Sequence, residues 1–284
     1  MNHRDGPPGK GDCGSSYVAS DIVDNNASSI PSRSTSPAMH SETSSMKGIG
    51  MNHSTWQSAD PTSKTIFFLR HAEALHNVPP PDYTIPDPRL TPLGVRQSQR
   101  IRDTVPADAR ANISLIVTSP LRRALQTTLL GFGQQIHWQG VPLEIWPDLQ
   151  ETATHPCDRG SSTQELVDLF PDVKELVLAL PSGWQDKGPV DDMWEERIRQ
   201  RAQKVLKALK DRPERTILVV THNGFLRRLL GDDVWALDGR VPDGFKNAEV
   251  RRFTMLEDGR LMGDETCASQ ESFDDELERV GALE

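Results

Sequence analysis

Four short segments place histidines, arginines and a carboxylate directly after apolar runs. Arg70-His71-Ala72-Glu73 follows Thr65–Leu69, with Asn77 close behind, and Ser119-Pro120-Leu121-Arg122-Arg123 follows Leu115–Thr118. Asp148-Leu149-Gln150-Glu151 follows Leu143–Trp146, and Thr221-His222-Asn223-Gly224 follows Thr216–Val220. Arginine forks match phosphate oxygens two at a time. A histidine in line with phosphorus can attack it and carry the phosphoryl group as an N–P intermediate. A carboxyl group can protonate the departing oxygen and then activate water. None of these steps calls for a metal, and no His, Asp, Glu or Cys cluster has metal-ligand spacing. Taken singly, each segment is ordinary: Arg-His after a strand is commonly a capped pair, and Arg122-Arg123 can be a solvated helix face. Their joint placement after separate strands is what points to phosphoryl chemistry.

The elements that must position these groups alternate between strand and helix. Thr65–Leu69, Leu115–Thr118, Val141–Trp146 and Thr216–Val220 read as strands. Thr91-Pro92 is an N-cap followed by proline at the first helical position, opening a helix to about Thr104. A second helix is expected from Leu121 to about Phe132, and Ser162-x-x-Glu165 is a capping box ahead of Leu166 and Leu169. Trp194, Ile198, Ala202, Val205 and Leu209 recur at helical spacing, and Phe225–Leu230 begins another helix. Glu249–Leu256, the turn Glu257–Arg260 and the residues after it read as a short hairpin. Such alternation implies a three-layer α/β/α sandwich with a mainly parallel sheet. In sheets of that kind ligands bind beyond the carboxyl ends of the strands, where all four segments lie.

The chain has 284 residues, 36% of them hydrophobic, with 32 Lys+Arg against 41 Asp+Glu and a net charge of −9. That acidity argues against sequence-independent nucleic-acid binding and against an anionic membrane surface. The longest apolar runs, such as Leu176–Leu180, are too short to span a bilayer. Cys13, Cys157 and Cys267 are scattered and form neither a disulfide framework nor a metal pair. With no apolar leader and an acid-bearing start, a cytoplasmic location, with or without the nucleus, is expected. Residues 1–62 carry 13 Ser, 6 Gly and 5 Pro and are expected to form a disordered extension. Residues 264–284 hold eight acids against Arg279 alone and read as a solvated acidic tail. Residues 63–263 remain as the folded domain.

Leu69-Arg70-His71-Ala72-Glu73 with Asn77 resembles the Arg-His-Gly-Glu signature of the histidine phosphatase superfamily, the phosphoglycerate-mutase-like proteins. Leu90-Thr91-Pro92-Leu93-Gly94 with Gln97 is similar to the family's Leu-Thr-x-x-Gly segment, and Ser119–Thr127 to its Ser-Pro-Leu-x-Arg-Ala-x-Gln-Thr segment. Leu149-Gln150-Glu151 resembles its acid-bearing turn, Val220-Thr221-His222-Asn223-Gly224 its second histidine, and Asn247-Ala248-Glu249-Val250 its last strand entry. The likeness covers roughly residues 64–263, and the Cys157-Asp158-Arg159-Gly160-Ser161 turn looks most like the fungal mutase-like subgroup. It implies His71 as nucleophile and Glu151 as acid, then base. His222 would be the second catalytic histidine. Arg70, Arg123 and Asn77 would bind the phosphate, and neither metal nor organic cofactor is implied. Arg123 is preferred over Arg122 because it immediately precedes Ala124.

Three departures shape that reading. Ala72 stands where the family usually has glycine, so the loop must accept a Cβ or run at negative φ. Asn223 follows the second histidine where the acid phosphatase branch has an aspartate acid, which leaves Glu151 as the acid. Thr152-Ala153-Thr154-His155-Pro156 after Glu151 differs from the pattern of cofactor-dependent mutases, favouring a phosphatase. The expected activity is hydrolysis of a small-molecule phosphomonoester. The rival readings are a phosphotransferase or mutase, and a catalytically silent phosphate-binding or scaffolding protein. Arg159 and His155 are secondary candidates for a second anion and a spare proton donor, with loop positions the simpler account. His76 is placed at the entrance, Trp138, Trp146, Trp184 and Trp194 in core or lid, and Pro181–Val190 as a mobile rim. Substrate identity and oligomeric state are not legible.

Overall fold

The computed structural model describes residues 63–235 and 244–262. The Ser/Gly/Pro-rich extension and the acidic tail expected from the sequence lie outside the described residues. In chain order the elements are β1 (Lys64–Arg70), α1 (Pro92–Thr104), α2 (Ala107–Ala111), β2 (Leu115–Thr118), α3 (Arg122–His137), β3 (Leu143–Ile145), α4 (Thr163–Leu169), α5 (Lys174–Leu178), α6 (Trp194–Asp211), β4 (Thr216–Thr221), α7 (Asn223–Trp235), β5 (Val250–Met255) and β6 (Leu261–Met262). The strands form one sheet in the order β3-β2-β4-β1-β5-β6. β3, β2, β4 and β1 are mutually parallel, while β5 and β6 continue antiparallel.

The strands are apolar on both faces, as a sheet covered by helices requires. Phe67, Leu69, Ile116, Leu218 and Val220 pack on one side with Ile101 of α1, Leu125 and Phe132 of α3, and Leu166 of α4. Ile66, Phe68, Leu115, Val117, Ile217 and Val219 pack on the other with Ala202, Val205 and Leu209 of α6 and Phe225, Leu226 and Leu230 of α7. This is the expected sandwich. Each large side chain so buried stabilises the fold by about 1.5–3 kcal/mol.

Local signals set most boundaries. Thr91 Oγ1 accepts from the Gly94 N–H and opens α1, which stops at Thr104 because Val105 precedes a proline and is extended. Ser162 and Glu165 form the expected reciprocal capping box on α4. α3 runs on to His137, beyond the expected end at Phe132, because Phe132 and Gln135 are buried and outweigh the weak helix preference around Gly131 and Gly133. β3 is shorter than expected. Pro142 has no N–H to give, and it contributes only a carbonyl, to the Ile116 N–H. Of the tryptophans, Trp184 is buried, whereas Trp138 is 84% exposed, contrary to the expected core or lid position. Among the described residues no helix is long and apolar enough to cross a membrane.

Candidate active site

Because β1, β2, β3 and β4 are parallel, their carboxyl ends share one edge, and the four segments meet there. His71 leaves β1 with its backbone N–H on the Thr221 carbonyl at the end of β4 (2.9 Å). Its ring is 5.1 Å, centroid to centroid, from that of His222. His71 Nδ1 lies 2.7 Å from the Ala72 carbonyl oxygen. A carbonyl only accepts, so Nδ1 carries the proton and Nε2 holds the free lone pair. Arg123 Nε donates to that Nε2 at 3.2 Å. The ring is thus fixed from both ends, with its lone-pair nitrogen Nε2 facing a guanidinium.

Arg123 is fully buried at the start of α3. Its Nη1 donates to the Cys157 carbonyl (2.6 Å) and its Nη2 to Asp158 Oδ1 (3.0 Å). Arg122, by contrast, meets Asp87 through its backbone N–H (3.0 Å). Arg70 Nη1 donates to the Phe245 carbonyl (2.6 Å), and its Nε is buried without a partner. Ala72 is buried, is not among the positive-φ residues and donates its N–H to Thr127 Oγ1 (3.1 Å), so the alanine in place of glycine is accommodated.

His222 is fully buried, with Nε2 2.8 Å from Ser119 Oγ. Ser119 Oγ accepts from the Leu121 N–H (3.3 Å) and retains both its own proton and a second lone pair for Nε2. His222 Nδ1 is buried without a partner, and when the Ser119 hydroxyl donates to Nε2, Nδ1 carries the ring proton and can donate. Glu151 sits at the N-terminus of α7, its Oε2 accepting from the Gly224 N–H (3.0 Å) and its Oε1 from the Thr152 N–H (2.7 Å).

The electrostatics are those of a pocket short of negative charge. Burial, then Arg123, Arg70 and His76, hold His71 well below the ordinary histidine range. Burial and then Arg123 do the same to His222. His76 is driven down to about 3 by burial, Arg123 and Arg70. Arg70 is lowered to about 10, chiefly by burial, with Glu151 opposing the shift. A dianionic group would supply the charge these groups lack. Among the described residues no three His, Cys, Asp or Glu side chains are grouped to hold a metal ion.

The sequence model of the histidine phosphatase superfamily (branch 1) matches residues 66–261. The chain belongs to that superfamily. It is therefore an enzyme of the phosphatase class. A phosphoglycerate mutase-like protein of Arabidopsis thaliana is 29% identical over 237 residues, covering 70% of this chain and 86% of the relative. A Schizosaccharomyces pombe protein named as a probable phosphatase is 29% identical over 165 residues, covering 58% of this chain and 76% of the relative. The solved structure of Bacillus stearothermophilus YhfR is 21% identical, covers 72% of this chain and 98% of its own, and superposes with a TM-score of 0.49.

In this histidine phosphatase the expected residues come together unevenly. His71, Arg70, Arg123, His222 and Glu151 converge. Asn77 is adjacent, but its Oδ1 accepts from the Ala74 N–H and from Asn247 Nδ2, and its Nδ2 meets His76 Nε2. His76 is buried against the His71 ring, 5.8 Å between centroids, and does not line the entrance. His155 stacks on Tyr83 at 5.5 Å. The Pro181–Val190 segment is pinned: Lys187 Nζ donates to the Ala153 (2.7 Å) and Asp158 (2.5 Å) carbonyls, and Gln150 Nε2 donates to the Trp184 carbonyl (2.8 Å). Cys157 is buried and its thiol is pushed up to about 12, mainly by burial, which excludes it as a thiolate nucleophile.

Sequence reasoning missed the residues that hold the others. Asp158 anchors Arg123, Ser119 orients His222, and Arg201 Nη2 donates to the carbonyls of Gln150 (2.9 Å) and Glu151 (3.4 Å). Asp158 had a signal, as a lone carboxylate in a segment adjoining a cation-rich site. Arg201 had none beyond lying beside the apolar stripe of α6.

Proposed function

We propose that the chain hydrolyses small phosphomonoesters through a phosphohistidine on His71, without a metal. The observation that carries this reading is the His71 tautomer: Nδ1 donates to the Ala72 carbonyl and Nε2 keeps its lone pair beside a buried guanidinium. In the first step the Nε2 lone pair forms a bond to phosphorus as the bond to the leaving oxygen breaks, and Glu151 in its acid form gives that oxygen a proton. Arg123 Nε turns from Nε2 to a phosphoryl oxygen as the N–P bond forms. Arg70 and His222 Nδ1 donate to the others, placing positive charge where negative charge develops. In the second step Glu151 takes a proton from water, the water oxygen bonds to phosphorus, and the N–P electrons return to Nε2. The phosphatase name of the fission-yeast relative supports hydrolysis over transfer.

Phosphate release from a panel of phosphomonoesters with EDTA present, beside His71→Ala, tests the proposal. Turnover that survives EDTA and disappears in His71→Ala is expected, together with an acid-labile phosphoenzyme in the wild type. Turnover abolished by EDTA, or retained by His71→Ala, overturns it.

A further inference from the structure

Three acids are buried among the described residues: Asp87, Asp158 and Glu249. Asp158 pairs with Arg123 and Glu249 with Arg251. Asp87 instead gives its two carboxylate oxygens to backbone N–H groups, and no step of the proposed reaction uses it. It stands between Pro86 and Pro88 at a φ of 33°. A residue before proline is ordinarily extended, and a left-handed backbone outside glycine is uncommon, tolerated best by Asn and Asp. Such a conformation persists only where the surroundings hold it in place.

Those surroundings are the two carriers of Arg123. The first is α3, whose second residue is Arg123. Leu121 stands at its N-cap and offers no side-chain acceptor to the first free N–H groups of the helix. Asp87 Oδ1 accepts from the Arg122 N–H at 3.0 Å and so caps α3 from 35 residues away. The second carrier is the turn at residues 156–161, which offers the Cys157 carbonyl and Asp158 Oδ1 to the Arg123 guanidinium. Asp87 Oδ2 accepts from the Ser161 N–H of that turn at 2.8 Å. The same loop is tied to the turn twice more. The Asp87 N–H meets the Pro156 carbonyl (3.4 Å), and the Cys157 N–H meets the Tyr83 carbonyl (3.2 Å). Burial pushes the Asp87 carboxyl up, while the Ser161 N–H and the nearby charge of Arg123 oppose that shift. One carboxylate therefore joins the helix that carries the Arg123 backbone to the turn that grips its side chain.

We propose that Asp87 is a positioning residue for phosphoryl transfer, setting the Arg123 guanidinium against His71 Nε2 by tying the start of α3 to the 156–161 turn. It acts only through Arg123, whose Nε meets His71 Nε2 at 3.2 Å. Its effect on rate rests on the proposed hydrolysis, whereas its effect on the Arg123–His71 contact does not. The role needs an acceptor oxygen on each side. Glycine at position 87 accepts the backbone angle and offers neither oxygen, and asparagine offers one.

The test compares the full chain with Asp87→Gly and Asp87→Asn. The Arg123 Nε–H signal is followed by ¹H–¹⁵N NMR and assigned by its loss in Arg123→Lys. In the wild type its bond to a buried ring nitrogen should slow its exchange with water. Asp87→Gly is expected to shift that signal and speed its exchange roughly tenfold or more, the loss of about one hydrogen bond. Asp87→Asn should lie between, and it carries the same readouts if Asp87→Gly fails to fold. On phosphomonoesters the kcat/KM of Asp87→Gly should fall by about 10²-fold, borne mostly by kcat, as a group misplaced near the reacting atoms causes. Combined with Arg123→Lys, it should cost little further, because the two residues act as one unit. A residue with a merely structural role would lower urea stability yet add its full kinetic loss to that of Arg123→Lys. That additivity overturns the proposal, and so does an Arg123 signal unchanged in both variants. A wild type that releases no phosphate from any ester sinks the hydrolysis reading alone, and the NMR comparison still decides whether Asp87 places Arg123.

Discussion

Asp158 Oδ1 lies 3.0 Å from Arg123 Nη2, and both side chains are buried, so the guanidinium that meets His71 Nε2 is steered by a carboxylate rather than by the histidine. Removing one partner of such a pair leaves the other charge uncompensated. Asp158→Ala is expected to lose about 3–5 kcal/mol in urea unfolding. Its kcat/KM is expected to fall by about 10²-fold, as a misplaced phosphate-stabilising donor would cause. Asp158→Asn keeps an acceptor oxygen and should fall between wild type and Asp158→Ala. Equal stability and activity in all three would show that Arg123 is held by the Cys157 carbonyl alone.

His71, His76 and His222 are each held below the ordinary histidine value, first by burial and then by Arg123. Near pH 6.5 the unfolded chain gains protons on these rings while the folded chain does not. The unfolded state therefore binds more protons, and stability drops as pH falls below about 6.5, by about 1.4 kcal/mol per pH unit for each ring. For His76 the loss continues down to about pH 3. Urea unfolding between pH 7.5 and 5 should show the decline, and His76→Gln should flatten it by one ring's share. Parallel slopes in the two proteins would remove His76 from the account.

A proton donor of the kind proposed for Glu151 matters most when the leaving group is basic. Glu151→Gln should lose about 10²–10⁴-fold on alkyl phosphates. The loss of the phosphorylation step should be much smaller on an aryl phosphate whose leaving oxygen needs no proton. Because the second step still lacks its base, phosphoenzyme should accumulate in rapid-quench experiments with the aryl substrate. An equal loss on both substrates would assign Glu151 to orientation alone.

Two glycines separate backbone crowding from side-chain crowding. A Cβ on Gly94 would stand 1.9 Å from the Glu73 carbonyl oxygen, a backbone atom that cannot step aside. A Cβ on Gly224 would stand 2.4 Å from Glu151 Oε1, the end of a flexible side chain. Gly94→Ala should therefore lower the melting temperature markedly. Gly224→Ala should melt close to wild type yet lose about tenfold or more in kcat, by displacing the carboxylate from the Gly224 N–H. A Gly224→Ala enzyme with full activity would show that Glu151 works away from that amide.

The strands, the caps at Thr91 and Ser162 and the stripe on α6 were legible because unbroken apolar runs, helical spacing and capping act between residues only a few positions apart. The four segments bearing His71, Arg123, Glu151 and His222 were legible for a related reason, since each lies at or within a few residues of a strand's end and parallel strands share their carboxyl edge. Which side chains hold that cluster was decided only in three dimensions. Ser119 meets His222 across 103 residues of chain and Asp158 meets Arg123 across 35, contacts that exist because β4 lies between β2 and β1 and because the turn after Glu151 folds back over α3. The burial of His76 and the exposure of Trp138 likewise follow from how helices cover the two faces of the sheet. For these positions burial is set by the assembled layers, and no local spacing marks it.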